Sequence, residues 1–192
     1  MNYTQRIEQA FSFAHRIHQG QQRKGSGAPF ITHVMSVAAL VGENGGEEDQ
    51  FIAALLHDAV EDGEGMKTLG EIRETFGPHV ADLVEGCSDA FTHPKPPWLE
   101  RKKSYIERAA EAPPELRLII AADKLHNVRI ILRDLKAEGP IVWDRFQGRR
   151  DGSLWYYTAM VRVLSDGWEH PILKELEQAV NALQEAESHE IP

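Results

Sequence analysis

The apolar residues of this chain recur at helical spacing in one segment after another, and no segment shows the alternation of a half-buried strand. Ile7, Ala10, Phe11, Ala14 and Ile17 fall three or four positions apart, and Gly20 closes that segment. "RKGSGAPF" at 23–30 is a loop by its Gly and Pro content. Thr32 then reads as the N-cap of "HVMSVAALVGENGG", whose glycines end the second helix. "EEDQFIAALLHDAVEDG" reads as one helix, with acidic residues where the helix dipole favours them and Gly63 as its stop. Shorter helices are predicted over "TLGEIRETF" and "PHVADLVEGCSDA"; "FTHPKPPW" breaks the pattern and "LERKKSYIERAAEA" resumes it. A long helix is expected from Pro114 through "ELRLIIAADKLHNVRIILRDLKAEG", with Pro at its first position. "DGSLWYYTAMVRVLSDGW" and "PILKELEQAVNALQEAESH" supply the last two. The fold class is therefore all-α, a compact multi-helix bundle.

At 192 residues and 42% hydrophobic, the chain suits one domain over 1–192 with a sizeable core. Cys87 is its only cysteine, which excludes an intrachain disulfide and suits a reducing compartment. The first eighteen residues carry charge throughout and lack the apolar run of a signal peptide. No stretch reaches the length of a bilayer span. A cytoplasmic protein without a membrane partner is expected. The net charge of −9 argues against a nucleic-acid surface. A small anionic ligand remains compatible with that charge if a local cluster of Lys and Arg, or a metal, receives it.

"AALLHDAVED" at 53–62 crowds His57, Asp58, Glu61 and Asp62 into six positions. Three carboxylates so close repel one another, and a divalent cation held by imidazole and carboxylate would account for them. A solvated polar helix end would carry the same residues, and a His-Asp pair alone is a weak motif. Two other places bear on the choice. His33 opens a helix directly after the Gly/Pro loop, and Asp123 interrupts the apolar run "LIIAADKL", where an unpaired carboxylate is costly.

The order His33, His57-Asp58, Glu61-Asp62, then Asp123 with Asn127 one turn later resembles the HD-domain phosphohydrolases, in particular the hydrolase domain of the RelA/SpoT alarmone enzymes. "RKGSGAPFITH" resembles that family's R-K-x-x-G-x-P-Y-x-x-H-P segment, and "AALLHDAVED" its HD and ED motifs. "FGPHVADLVEGCSD" is similar to F-G-x-x-V-x-x-L-V-x-x-V-x-D, and "AADKLHNVR" to A-D-R-L-H-N-M-R. These segments fall in family order across residues 14–160.

The resemblance implies an HD-domain bundle in which His33, His57, Asp58 and Asp123 ligate a cation, most often Mn²⁺. Mixed nitrogen and oxygen ligation suits such an ion. It also implies that Glu61 and Asp62 orient and deprotonate water for attack on phosphorus. Asn127 is expected to contact ribose or phosphate, Arg23 to stack on a purine, and Lys24 to approach the phosphates. Lys124, Arg129, Arg149 and Arg150 are further cationic candidates, and Trp155 or Tyr156 an aromatic wall. The sequence departs from the family at Phe30, where Tyr is usual, at Val34 for Pro, and at Ile130 for Thr. After Asp89 it also lacks a Lys found in several small hydrolases, whose place Lys95 could take. The implied activity is removal of the 3′-pyrophosphate from (p)ppGpp, as in the small alarmone hydrolases. (p)ppApp hydrolysis, removal of the 2′-phosphate of NADPH, and nucleotide sensing without turnover are the alternatives. The sequence sets no oligomeric state.

Overall fold

The computed structural model describes residues 4–92 and 94–188. Its elements follow in chain order as α1 (Gln5–Ile17), α2 (Ile31–Glu43), α3 (Glu48–Leu56), α4 (Ala59–Asp62) and α5 (Met66–Phe76). Then come α6 (Pro78–Cys87), α7 (Trp98–Ala110), α8 (Pro114–Glu138), a 3-10 helix at Gly139–Arg145, α9 (Arg149–Ser165) and α10 (Pro171–Ser188). Among the described residues the one β pairing is an isolated bridge between Gln22 and Pro29. The molecule is all-α, as its periodicity predicts. The sequence-predicted last helix extends to His189, which lies outside the described residues.

Residues 117–125, nine in succession, are all buried in α8. A helix buried on every side must be wrapped by others, and α2, α3, α6, α9 and α10 all pack on it. Ile119, Ile120 and Leu125 are almost fully buried, each contributing roughly 1.5–3 kcal/mol of apolar transfer. Pro114 begins the helix, where its missing N–H costs nothing. Gly139, at φ 72°, ends it in a left-handed conformation and leads into the 3-10 helix, for which the sequence carries no recognised signal. No helix among the described residues is long and apolar enough to cross a membrane.

Local chemistry sets the elements that carry the site. Thr4 caps α1 by accepting the Arg6 N–H, and Glu47 and Gln50 form a reciprocal capping box on α3. Thr32 is not the N-cap of α2: the helix starts at Ile31 with Phe30 at the N-cap, two residues earlier, and the Thr32 hydroxyl donates to the Pro29 carbonyl at 2.8 Å. That bond ties the first turn of α2 to the 23–30 loop. The loop closes through Arg23 N–H to Ala28 O at 2.8 Å and Phe30 N–H to Gln21 O at 3.0 Å. A second correction concerns residues 47–63, where two helices, α3 and α4, stand in place of one. α7 docks on α9 through Trp98, whose indole covers Gly148 and Gly152; a Cβ at Gly152 would come within 3.0 Å of the ring.

Candidate metal and catalytic site

The break between α3 and α4 falls on His57 and Asp58. His57 Nδ1 donates to the Ala54 carbonyl at 2.8 Å. A continuous α-helix would use that carbonyl for the Asp58 N–H, so the imidazole competes with the backbone and the helix stops. The same bond fixes the tautomer and leaves Nε2 facing Asp58 Oδ2 at 3.2 Å. His57 is buried, and its Nε2 has no hydrogen-bond partner.

His33, in the first turn of α2, directs its Nε2 to Asp58 Oδ2 at 3.5 Å and Asp123 Oδ1 at 3.3 Å. Its Nδ1 lies 2.8 Å from His126 Nδ1. Burial, with repulsion from His33 and Arg23, pushes His126 down to about 4. A neutral His126 can accept the His33 Nδ1–H, the tautomer that leaves the His33 Nε2 lone pair for the cluster. Asp123 Oδ1 is 3.7 Å from His57 Nε2 and accepts from Asn127 Nδ2 at 2.5 Å; Oδ2 accepts from Lys124 Nζ at 2.6 Å. Burial would raise Asp123, but the Lys124 ammonium and the two imidazoles outweigh it and hold the carboxyl well below its usual range. Asp58 is likewise held down against burial by His57 and His33, and His57 is held up against burial by Asp58 and Asp123.

Two imidazole nitrogens and two carboxylate oxygens thus converge from α2, the α3–α4 break and α8. The ligand atoms of His33, His57 and Asp58 all lie within 4.8 Å of one another. Adjacent donors on an ion with bonds of about 2.1 Å lie about 3 Å apart, close to the 3.2–3.5 Å separations seen here. The orphaned, buried His57 Nε2 and the charge of the donor set fit a divalent cation.

Glu61, on α4, lines a cavity of about 140 Å³ together with His33, Asp58, Asp123 and Lys124. Its Oε1 accepts the Asp89 N–H at 2.8 Å and its Oε2 the Lys95 ammonium at 3.1 Å. Burial, then the Asp89 and Asp58 carboxylates, push its pKa up to about 7. Asp62 is raised by burial and by Asp58, and lines a second, larger cavity of about 520 Å³. Its Oδ2 lies 3.8 Å from Nδ1 of the buried His18.

Arg23, Lys24 and Asn127 also line the larger cavity. The Arg23 guanidinium donates to Asn127 Oδ1 at 2.6 Å and lies 5.5 Å from the centre of the Phe30 ring. Lys124 and Tyr156 line the smaller cavity, the ammonium 5.6 Å from the Tyr156 ring centre. Trp155 is 39% exposed, packs against Trp98, and takes no part in lining either cavity. Arg129 pairs with Glu175, Arg149 with Asp144 and Arg150 with Asp151, all on the surface away from these cavities. Lys95, the candidate substitute for the family's lysine, contacts Glu61 at 3.1 Å.

Sequence reasoning missed Lys102 and His126. Lys102, on α7, lines both cavities, pairs with Asp89 at 2.7 Å and stands 4.6 Å from the Tyr156 ring centre. Arg101 joins it on Asp89 at 2.6 Å. In "LERKKSYIERAAEA" these two cations look like any solvated helix face. Their carboxylate partner lies across a Pro-rich break. His126 stood inside a quoted motif without a role, although its place three residues after Asp123 puts both on one face of α8.

A family model described as HD domain matches residues 10–154. Human guanosine-3′,5′-bis(diphosphate) 3′-pyrophosphohydrolase MESH1 is 35% identical over 184 residues, 94% of this chain and 90% of the human protein. The mouse protein of the same name is 39% identical over 141 residues, 72% and 74% of the two chains. A solved structure of a metazoan ortholog of SpoT that hydrolyzes ppGpp and plays a role in starvation responses superposes with a TM-score of 0.78 at 29% identity. The match covers 94% of this chain and 97% of that one. The crystal structure of lmo0812 from Listeria monocytogenes superposes with a TM-score of 0.70 at 34% identity, covering 78% and 96%.

Proposed function

The chain belongs to the HD-domain family, and on that premise we propose that it is a phosphohydrolase that removes the 3′-pyrophosphate of (p)ppGpp, releasing pyrophosphate and GDP or GTP. The likeness to a human enzyme named for that reaction, over nine-tenths of both chains, supports the substrate. One observation carries the chemistry: the partnerless His57 Nε2 sits within ion-binding distance of His33 and Asp58, and Glu61 shares their cavity.

His33, His57, Asp58 and Asp123 would hold the cation, which we assign as Mn²⁺ because imidazole and carboxylate ligands suit it. Such a cation, when bound, lowers the pKa of water beside it and stabilises charge at phosphorus. Glu61, with a pKa of about 7, is the proton acceptor for water attacking the phosphorus nearest the ribose. The phosphorus–oxygen bond to the ribose 3′ oxygen breaks, and that oxygen leaves on the nucleotide and takes up a proton. The Asp89 N–H and Lys95 hold the Glu61 carboxylate in place. Lys102, Lys124 and Arg23 supply the positive charge that a net-negative chain needs around a polyphosphate. Asn127, between Asp123 and Arg23, is placed to meet ribose or phosphate. Asp62 lies in the adjoining cavity and orients water or the substrate's sugar from there. The buried, lone Cys87 suits the reducing cytoplasm as the compartment.

The test is a screen of purified protein with Mn²⁺ against ppGpp, ppApp and NADPH, with the released product identified. Pyrophosphate from ppGpp is expected. Inorganic phosphate from NADPH alone would replace the substrate and keep the site, and binding of ppGpp without turnover would make the protein a sensor.

A further inference from the structure

Asn127, Ile130, Ile131 and Asp134 stand at i, i+3, i+4 and i+7 on α8, and all four line the 520 Å³ cavity. The stripe continues back one turn to Asp123, in the candidate metal cluster. Asp134 lies eleven residues beyond Asp123, about 16 Å along the helix. An extended purine nucleotide, held by phosphate at one end and base at the other, covers such a length.

Asp134 is only 7% exposed, and it shares the cavity with the apolar Ile130, Ile131 and Phe146. Its Oδ1 accepts from Arg133 at 3.1 and 2.9 Å, whereas Oδ2 has one long contact, 3.4 Å to Arg145 Nη1. Oδ2 therefore keeps capacity to accept. A carboxylate repels the phosphates of a nucleotide, so its place in this cavity calls for hydrogen-bond donors on the ligand. Guanine carries two adjacent donors, N1–H and the N2 amine, on the edge by which proteins read an unpaired base. Adenine presents a lone pair at N1 and a carbon-bound hydrogen at C2, and would leave the buried carboxylate unpaired.

We propose that Asp134 reads the base and makes this site select guanine over adenine nucleotides. The proposal rests on the nucleotide-hydrolase reading above and adds the identity of the base. The other role open to Asp134 is bracing Arg145, whose guanidinium lies against Gly25 in the loop that carries Arg23 and Lys24. A brace supports both bases equally; a reader supports one.

The experiment is equilibrium binding of GDP, IDP and ADP to the full chain with Mn²⁺, for wild type and Asp134→Asn. Wild type is expected to bind GDP about 10- to 100-fold tighter than ADP, the range of one bidentate base contact. IDP, which keeps N1–H and lacks the amine, should fall between them, and that comparison needs no variant to fold. Asp134→Asn should bring the GDP and ADP affinities within about threefold, chiefly by weakening GDP, with an unchanged melting temperature. Equal affinities in wild type, or an equal loss for both nucleotides in the variant, would overturn the proposal. Turnover of ppGpp by wild type decides the hydrolase reading separately. A chain that prefers GDP yet leaves ppGpp intact keeps the base assignment and loses the activity.

Discussion

The Nδ1 atoms of His33 and His126 lie 2.8 Å apart, so one carries a proton and the other accepts it. Burial keeps His126 neutral and able to accept; in the tautomer in which His33 donates, its Nε2 lone pair is free to bind a cation. His126→Leu removes the acceptor and releases the His33 ring to either tautomer. Mn²⁺ affinity, measured by calorimetry, should fall about 10- to 100-fold, the usual effect of losing a partner that orients a ligand. His126→Gln keeps an acceptor and should restore most of it. Unchanged affinity in the leucine variant would remove His126 from the site.

Asp58 contacts both imidazoles, at 3.2 and 3.5 Å. Asp58→Ala should therefore abolish Mn²⁺ binding and hydrolysis together, with the fold retained by circular dichroism. If the variant binds Mn²⁺ as wild type does, Asp58 is no ligand.

The helical bundle was legible because α-helices announce themselves locally: Pro114 starts α8, Gly139 ends it, and the apolar spacing between them needs no tertiary information. The α3–α4 break was not, because it depends on a side chain competing with the backbone at Ala54. Periodicity still saw 47–63 as one helix. The convergence of His33, His57, Asp58 and Asp123 was readable only through ordered motifs, since nothing local says that α2 and α8 meet. Lys102 and Asp134 escaped for a related reason. Each has the look of a surface charge in its own segment, and only the packing of α7 and the eleven-residue stripe on α8 turns them inward.

Glu61 supplies a pH test with a definite sign. Its folded pKa of about 7 stands above the ordinary 4.5. The cost of ionising it in the metal-free fold is therefore absent below about pH 4.5, grows as pH rises from 4.5 to 7 and is complete above 7. The full effect is about 3 kcal/mol. Glu61→Gln should raise the melting temperature of metal-free protein at pH 8, with the gain vanishing near pH 4.5. The same variant should keep Mn²⁺ while slowing hydrolysis about 10²- to 10⁴-fold, the range for loss of a general base. Undiminished kcat would take that role from Glu61.

Lys95 donates to Glu61 Oε2 at 3.1 Å and lowers its pKa. Removing that charge with Lys95→Met should move the acidic limb of the kcat/KM profile to higher pH. A profile that stays in place would show that the limb reports another group.

Lys102 separates binding from chemistry. Its ammonium lines both cavities and is held from one side by Asp89 at 2.7 Å, from the other by the Tyr156 ring. Asp89 keeps a second partner, Arg101 at 2.6 Å, when Lys102 is replaced. Lys102→Met preserves the side chain's length and apolar stem, so the fold should persist and the cavity should lose one charge next to the candidate cluster. A hydrogen bond to a charged group is worth about 1.5–3 kcal/mol, so KM for ppGpp should rise about 10- to 100-fold. Mn²⁺ affinity should not change, because Lys102 touches none of the four candidate ligands directly. A lower kcat at constant KM would instead place Lys102 at the charge that develops on phosphorus, and an unchanged KM with unchanged kcat would put it outside the substrate's path.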